Sequence, residues 1–162
     1  MGSFRRAVAV IAVLLVATSL GFWAGATNAP RSAQDISVTD LSIEVGFENV
    51  PASRYLTLGL VVHGADAPDF VRFSLDSDGV FLRLYGVSNV GTTSVIEGAA
   101  IIDASGPVAL RSERTGDTWT GSWSSDGTTF TPVTTFDHPI VATTASVFVG
   151  NAVGRSTPAL DA

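Results

Sequence analysis

The sequence predicts an all-β protein built as a sandwich or jelly roll of two antiparallel sheets. Three observations carry that expectation. Hydrophobic residues make up 46% of the 162 residues and charged residues only 15%, a composition that packs a core rather than staying disordered. Past the N-terminal stretch, apolar and polar residues alternate with period two, and no segment carries a helical period. Turn signals, two of them Asp-Gly, fall between the alternating runs at the short spacing typical of such folds.

The elements follow in chain order. "MGSFRRAVAVIAVLLVATSLGFWAGATNA" has the layout of a secretory signal: Arg5 and Arg6 at the start, an apolar run from Ala7 to Leu20, and small residues Ala24-Gly25-Ala26 for cleavage. The run also approaches spanning length, so residues 1–26 are expected to be a secretory signal or a membrane anchor. Residues 27–162 are expected to form the sandwich domain.

Leu41, Ile43, Val45 and Phe47 alternate with Ser42, Glu44 and Gly46, a half-buried strand. "RYLTLGLVVHG" places Leu56, Leu58, Leu60 and Val62 on one side. "DFVRFSLDSDGVFLRLYG" reads as a hairpin centred on Asp78-Gly79. "TTSVIEGAAII" and "GPVALRSER" are the next two strands, "TGDTWTGSWSSDGTTF" is a second hairpin centred on Asp126-Gly127, and "ASVFVGNA" is the last strand.

A two-residue loop fixes which side chains are neighbours, because cross-strand partners share a face. In the second hairpin it pairs Trp123 with Phe130, with Trp119 and Gly121 on the same side and Ser122, Ser124, Thr129 and Thr131 on the other. An all-aromatic face is expected to be core. In the first hairpin it pairs Leu75 with Leu82 and Phe73 with Leu84 on an apolar face. Arg72 then faces Tyr85, Ser74 faces Arg83 and Asp76 faces Phe81 on the other. Two guanidinium groups, two rings and a carboxylate suit a sugar, whose apolar face stacks on rings while its hydroxyls bond to Arg and Asp. Arg72, Arg83, Tyr85, Phe81 and Asp76 are therefore the candidate carbohydrate-binding residues, set against the alternative of an ordinary solvated sheet face with Arg stacked over Tyr.

Several stretches carry a resemblance. "ALRSERTGDTWTGSWSSDGTTFTPVTTFDHPIVATTASVFVGNA", above all the runs at 114–119, 125–129 and 150–152, resembles the closing half of the bacterial beta-xylosidase C-terminal-like domain of unknown function. That family belongs to the concanavalin A-like lectin/glucanase superfamily. "NAPRSAQDISVTDLSIEVGFENVPASRY" and "FVRFSLDSDG" fit its earlier half, so the resemblance spans roughly 28–158. It implies a concanavalin A-like jelly roll and a secreted, non-catalytic carbohydrate-binding or accessory module. The alternatives are a glycoside hydrolase of the same superfamily and a cell-surface interaction domain without a sugar ligand. The family pattern carries one more strand than the sequence shows before "PALDA", so the sandwich is expected either complete or short of its last strand.

Other chemistries find no support in the residues. There is no Cys, which excludes disulfides, thiolate nucleophiles and Cys-ligated metals. The net charge of −6 disfavours nucleic acid as a partner. No Glu-x-Asp-x-x-Glu strand occurs to supply paired carboxylates. Asp76 and Asp78 are expected to serve the turn, and Asp76-Ser77-Asp78-Gly79 lacks the later ligands of a calcium loop. His63 and His138 lack metal spacing. No catalytic residue, metal or cofactor is expected. The expected partner is a polysaccharide or other glycan, with a membrane only through an uncleaved N-terminus.

Overall fold

The structure, a computed structural model, describes residues 12–15, 32–35, 40–48, 50, 54–66, 68–103 and 106–151. In chain order the strands are β1 (Ala12–Leu15), β2 (Ser32–Asp35), β3 (Leu41–Phe47), β4 (Leu56–Gly64), β5 (Phe70–Ser77), β6 (Leu82–Val90), β7 (Thr93–Ile102), β8 (Val108–Thr115), β9 (Thr118–Ser124), β10 (Thr131–Asp137) and β11 (Ala142–Asn151). They form a five-stranded sheet, β1-β3-β8-β9-β10, and a six-stranded sheet, β2-β11-β4-β5-β6-β7. Every pairing is antiparallel except that of β1 with β3.

The expected all-β sandwich is present, and β3 to β9 and β11 match the segments expected from the sequence, whereas β10 begins only at Thr131, beyond the residues expected to form the returning arm of the second hairpin. Apart from β1, residues 1–26 lie outside the described residues, as does everything after Asn151. Among the described residues no helix is long and apolar enough to cross a membrane.

Alternation positions the core. Leu41, Ile43, Val45 and Phe47 are buried on one side of β3, and the register sets Val45 against Leu110 and Phe47 against Val108. The facing sheet contributes Leu58, Leu60, Val62, Val71, Phe73, Leu75 and Leu84 to the same core. Each such side chain stabilises the fold by about 1.5–3 kcal/mol through burial. The layers approach closely where Thr134 of β10 lies over Gly86 and Gly98, positions where a Cβ would collide with its side chain.

Both Asp-Gly corners exist, but neither is a two-residue loop. Gly79 has φ 92° and Gly127 has φ 70°, whereas neither aspartate has positive φ. The tight primed turn needs positive φ at both central residues, so the chain uses a wider connection. In the first hairpin Asp78 Oδ1 accepts the backbone N–H of Val80 at 2.9 Å and of Phe81 at 2.7 Å. Pairing begins at Ser77 and Leu82, so Leu75 faces Leu84, Ser74 faces Tyr85 and Asp76 faces Arg83. The expected partners are thus corrected by two positions; the residues that remain paired keep their faces, while Phe81, expected opposite Asp76, falls in the connection.

The second corner overturns more. Asp126 Oδ1 accepts the N–H of Thr128 at 2.8 Å and of Thr129 at 2.7 Å, while Ser124 Oγ accepts that of Gly127 at 2.9 Å. Pairing resumes only with Thr131 opposite Trp123. This one-residue slip puts Thr131, not Phe130, beside Trp123. A bulge between Pro132 and Thr134 then sets Phe136 opposite Trp119. Phe130 instead lies on the outer side, where the Arg111 guanidinium stands 3.6 Å from its ring centre and Arg111 Nε bonds Glu44 at 2.8 Å. Ser122 and Ser124 do take the side opposite the tryptophans, yet they are buried there. Trp119 is fully buried, and its indole N–H donates to the His138 carbonyl at 3.0 Å. Trp123 is half-buried against the core edge.

Candidate functional site

Alternation in β5 sends Val71, Phe73 and Leu75 inward, so Arg72, Ser74 and Asp76 stand on the outer face of the six-stranded sheet. The register builds rows across that face. Phe148, Gly59, Ser74, Tyr85 and Ala99 form one row, taken from β11, β4, β5, β6 and β7. The next row toward the first hairpin is Gly150, Thr57, Asp76, Arg83 and Ile101, and the row on the other side holds Val61, Arg72 and Val87. Phe148 and Tyr85 thus flank a glycine and a serine, Gly59 and Ser74. Their Cα atoms are about three strand spacings apart, on the order of 14 Å. Ser74 is fully buried at the bottom, and its hydroxyl has no hydrogen-bond partner among the described residues.

The five candidate residues fall into two groups. Arg72, Asp76 and Tyr85 stand on the sheet face, with Arg72 diagonal to Tyr85 rather than opposite it. Asp76 Oδ1 accepts the Thr57 hydroxyl at 2.7 Å, a tie between strands rather than the turn bond expected of it. Arg83 leans toward the hairpin tip, where it bonds Asp78 Oδ2 at 2.5 Å and its guanidinium carbon lies 5.6 Å from the Phe81 ring centre. Phe81 sits in the connection, 48% exposed.

A neighbouring feature is absent from the sequence reading. Tyr55, 46% exposed, adopts φ 70°, alone among described non-glycine residues in having positive φ. Such a conformation is costly for a bulky side chain and gathers at functional positions. Its N–H donates to the Ser77 carbonyl at 2.8 Å, and the Arg54 guanidinium carbon lies 5.0 Å from its ring centre. Gly79 comes close to Arg54: a Cβ built there would meet the Arg54 Cβ at 3.3 Å. The tip therefore carries two aromatic–guanidinium pairs, Arg54–Tyr55 and Arg83–Phe81. In the sequence Arg54 and Tyr55 look like the first residues of the β4 strand, and period-two alternation holds no sign of a left-handed residue.

The carboxylate at the tip is fixed in one state. The amides of Phe81 and Val80 and the Arg83 guanidinium lower the Asp78 pKa to about 2, the Phe81 amide most strongly. Asp126 is lowered too, by the amides of Thr129 and Thr128 and the Ser124 hydroxyl. Among the described residues no three His, Cys, Asp or Glu side chains are grouped to hold a metal.

The chain matches no family model and no curated protein sequence. Solved structures do match. A GH43 protein of Bacillus licheniformis, BlXynB, aligns with a TM-score of 0.61 at 16% identity, over 73% of this chain and 25% of its own. The CBM2 module of the evolved Dit protein of Lactobacillus casei BL23 phage J-1 aligns at 0.59 and 8% identity, over 75% and 60%. Sheep galectin-11, solved with glycerol, aligns at 0.54 and 13% identity, over 73% and 89%. The chain spans about a quarter of the GH43 protein. At these identities the likeness is one of fold alone, a two-sheet β-sandwich.

Proposed function

We propose that the protein is a non-catalytic, exported carbohydrate-binding module of the beta-xylosidase C-terminal-like kind. It holds a glycan on the outer face of its six-stranded sheet and at the adjoining hairpin tip. The observation that carries this reading is the pair of exposed rings, Tyr55 and Phe81, each with a guanidinium over it, at one end of a face bearing Arg72, Asp76 and Tyr85. Rings of this kind take the apolar side of a pyranose, and the Arg and Asp groups around them take its hydroxyls. The fold shared with a GH43 protein, a CBM2 module and a galectin agrees with the reading, as does the signal-like start of the chain. A glycosidase general acid needs a raised pKa. Asp78, the carboxylate among the exposed rings, has a lowered one, and its oxygens are occupied by the turn and Arg83.

Affinity electrophoresis on xylan, arabinan and beta-glucan tests the proposal. Retardation on at least one polymer, lost in the Arg83→Ala/Tyr85→Ala double variant and weakened by Tyr55→Ala, is the expected result. Equal mobility of wild type and double variant on every polymer overturns it. Intact-mass analysis of the protein recovered outside the cell tests export and shows whether the first segment is removed.

A further inference from the structure

We propose that Ser74 is the floor of a sugar subsite that is closed when empty: the Tyr85 and Phe148 rings cover its hydroxyl in the free protein and part to admit one terminal sugar residue of a glycan, which supplies the missing hydrogen bond. This rests on the glycan reading above and narrows it to a floor residue and a kind of sugar unit. Ser74 stands on the outer face of the six-stranded sheet, yet it is fully buried, and its hydroxyl has no hydrogen-bond partner among the described residues. Native proteins seldom leave a buried hydroxyl unbonded without a use for it. The carboxylate nearest along the strand, Asp76, is taken by Thr57. Gly59, opposite Ser74 on β4, has no side chain to cover it, and a Cβ there would run into the Phe73 carbonyl and the Ser74 Cα. The floor beside Ser74 is thus kept bare. Tyr85, opposite Ser74 on β6, and Phe148, opposite Gly59 on β11, have the reach to lie over it. A ring edge covers a hydroxyl without satisfying it, which is how Ser74 comes to be both buried and unbonded.

The borders decide what fits. Phe148 and Tyr85 bound the bare floor along the row, and Arg72 and Asp76, the residues next to Ser74 on the same face of β5, bound it along the strand. The Cα atoms of Arg72 and Asp76 are about 13 Å apart at strand rise, close to the spacing of the two rings. With side chains rising on all four sides there is room for one sugar ring and no way through for a chain. A unit in the middle of a chain needs an exit at both ends, whereas a terminal unit needs only the one toward solvent. Its apolar side lies against the parted rings, and one of its hydroxyls meets Ser74 Oγ, which can donate and accept.

Ser112 provides the control. Its hydroxyl is likewise buried without a partner among the described residues, but it lies on the Leu110 side of β8, in the core between the sheets. The probes are oligosaccharides of two and six units cut from the polymer that retards the wild type, xylobiose and xylohexaose where that polymer is xylan. In calorimetry on the full-length protein, Ser74→Ala should bind them about tenfold more weakly. It should melt no lower than the wild type, because alanine removes an unmet hydrogen bond. Ser112→Ala should keep wild-type affinity, and the wild type should bind both lengths equally well per chain. Wild-type affinity in Ser74→Ala, with retardation still abolished in Arg83→Ala/Tyr85→Ala, overturns this inference and leaves the glycan reading standing. No retardation on any polymer overturns both. A Ser74→Ala protein that melts well below the wild type shows a hydroxyl already bonded in the free state and overturns the inference, as does an affinity that climbs from two units to six.

Discussion

The two Asp-Gly hairpins share a turn chemistry and differ in what it does to the protein. In both, one aspartate oxygen gathers the amides two and three residues on, and the following glycine takes positive φ. At Asp78 the connection displaces the register by two residues, and the faces survive. At Asp126 the displacement is one residue, and Phe130 crosses from the tryptophan side to the Arg111 side. Side chains alternate with period two, so an even slip exchanges neighbours and an odd slip exchanges environments. The bulge after Pro132 then corrects the parity, so that Phe136 returns to Trp119.

The sharpest way to break this comparison is to truncate the aromatics of the second hairpin one at a time. Trp119→Ala, at a fully buried ring with a bonded N–H, should cost about 3–5 kcal/mol in chemical denaturation. Trp123→Ala, at the half-buried edge of the core, should cost on the order of 1–2 kcal/mol by its smaller buried area. Phe130→Ala removes a ring stacked on Arg111 and should cost about 1 kcal/mol or less. A Phe130→Ala loss equal to that of Trp119→Ala would restore the two-residue loop and refute the odd slip.

The first corner is probed by acid. The folded-state pKa of Asp78 is about 2, below its ordinary 3.8, so the folded protein binds this proton less readily than the unfolded chain. The stabilisation is complete above about pH 4 and fades as pH falls through the folded-state value. Carbon-detected NMR titration should find the Asp78 carboxyl at about 2 in the wild type and higher in Arg83→Gln, which loses one of the groups that hold it down. An unchanged midpoint in Arg83→Gln would show that the amides act alone.

The sequence carried the fold because burial on one side of a sheet writes itself as alternation: Leu41 to Phe47 and Leu56 to Val62 could be assigned to the core from spacing. The composition of the Arg72–Tyr85 face was legible for the same reason, since it depends only on parity. What was not legible depended on counting through a turn. Two versus four connecting residues look alike on either side of Asp78-Gly79, and the difference lies in whether the aspartate backbone enters the left-handed region. Tyr55 was hidden likewise, its exposure following from a φ value and not from its neighbours. The polar strand β2 has no alternation to read and owes its place to pairing with β11.

The corners also bear on how the molecule ages. Asp-Gly sequences convert to isoaspartate when the glycine nitrogen attacks the aspartyl carboxyl carbon, a reaction that prefers a protonated, freely rotating carboxyl. Here the nitrogens of Gly79 and Gly127 donate to Ser77 and Ser124 hydroxyls at 3.2 and 2.9 Å. Both carboxyls are kept ionised and tethered to the amides beyond. Nucleophile and electrophile are each occupied elsewhere, so two sequences that would be weak points in an unfolded chain become chemically durable once the hairpins close.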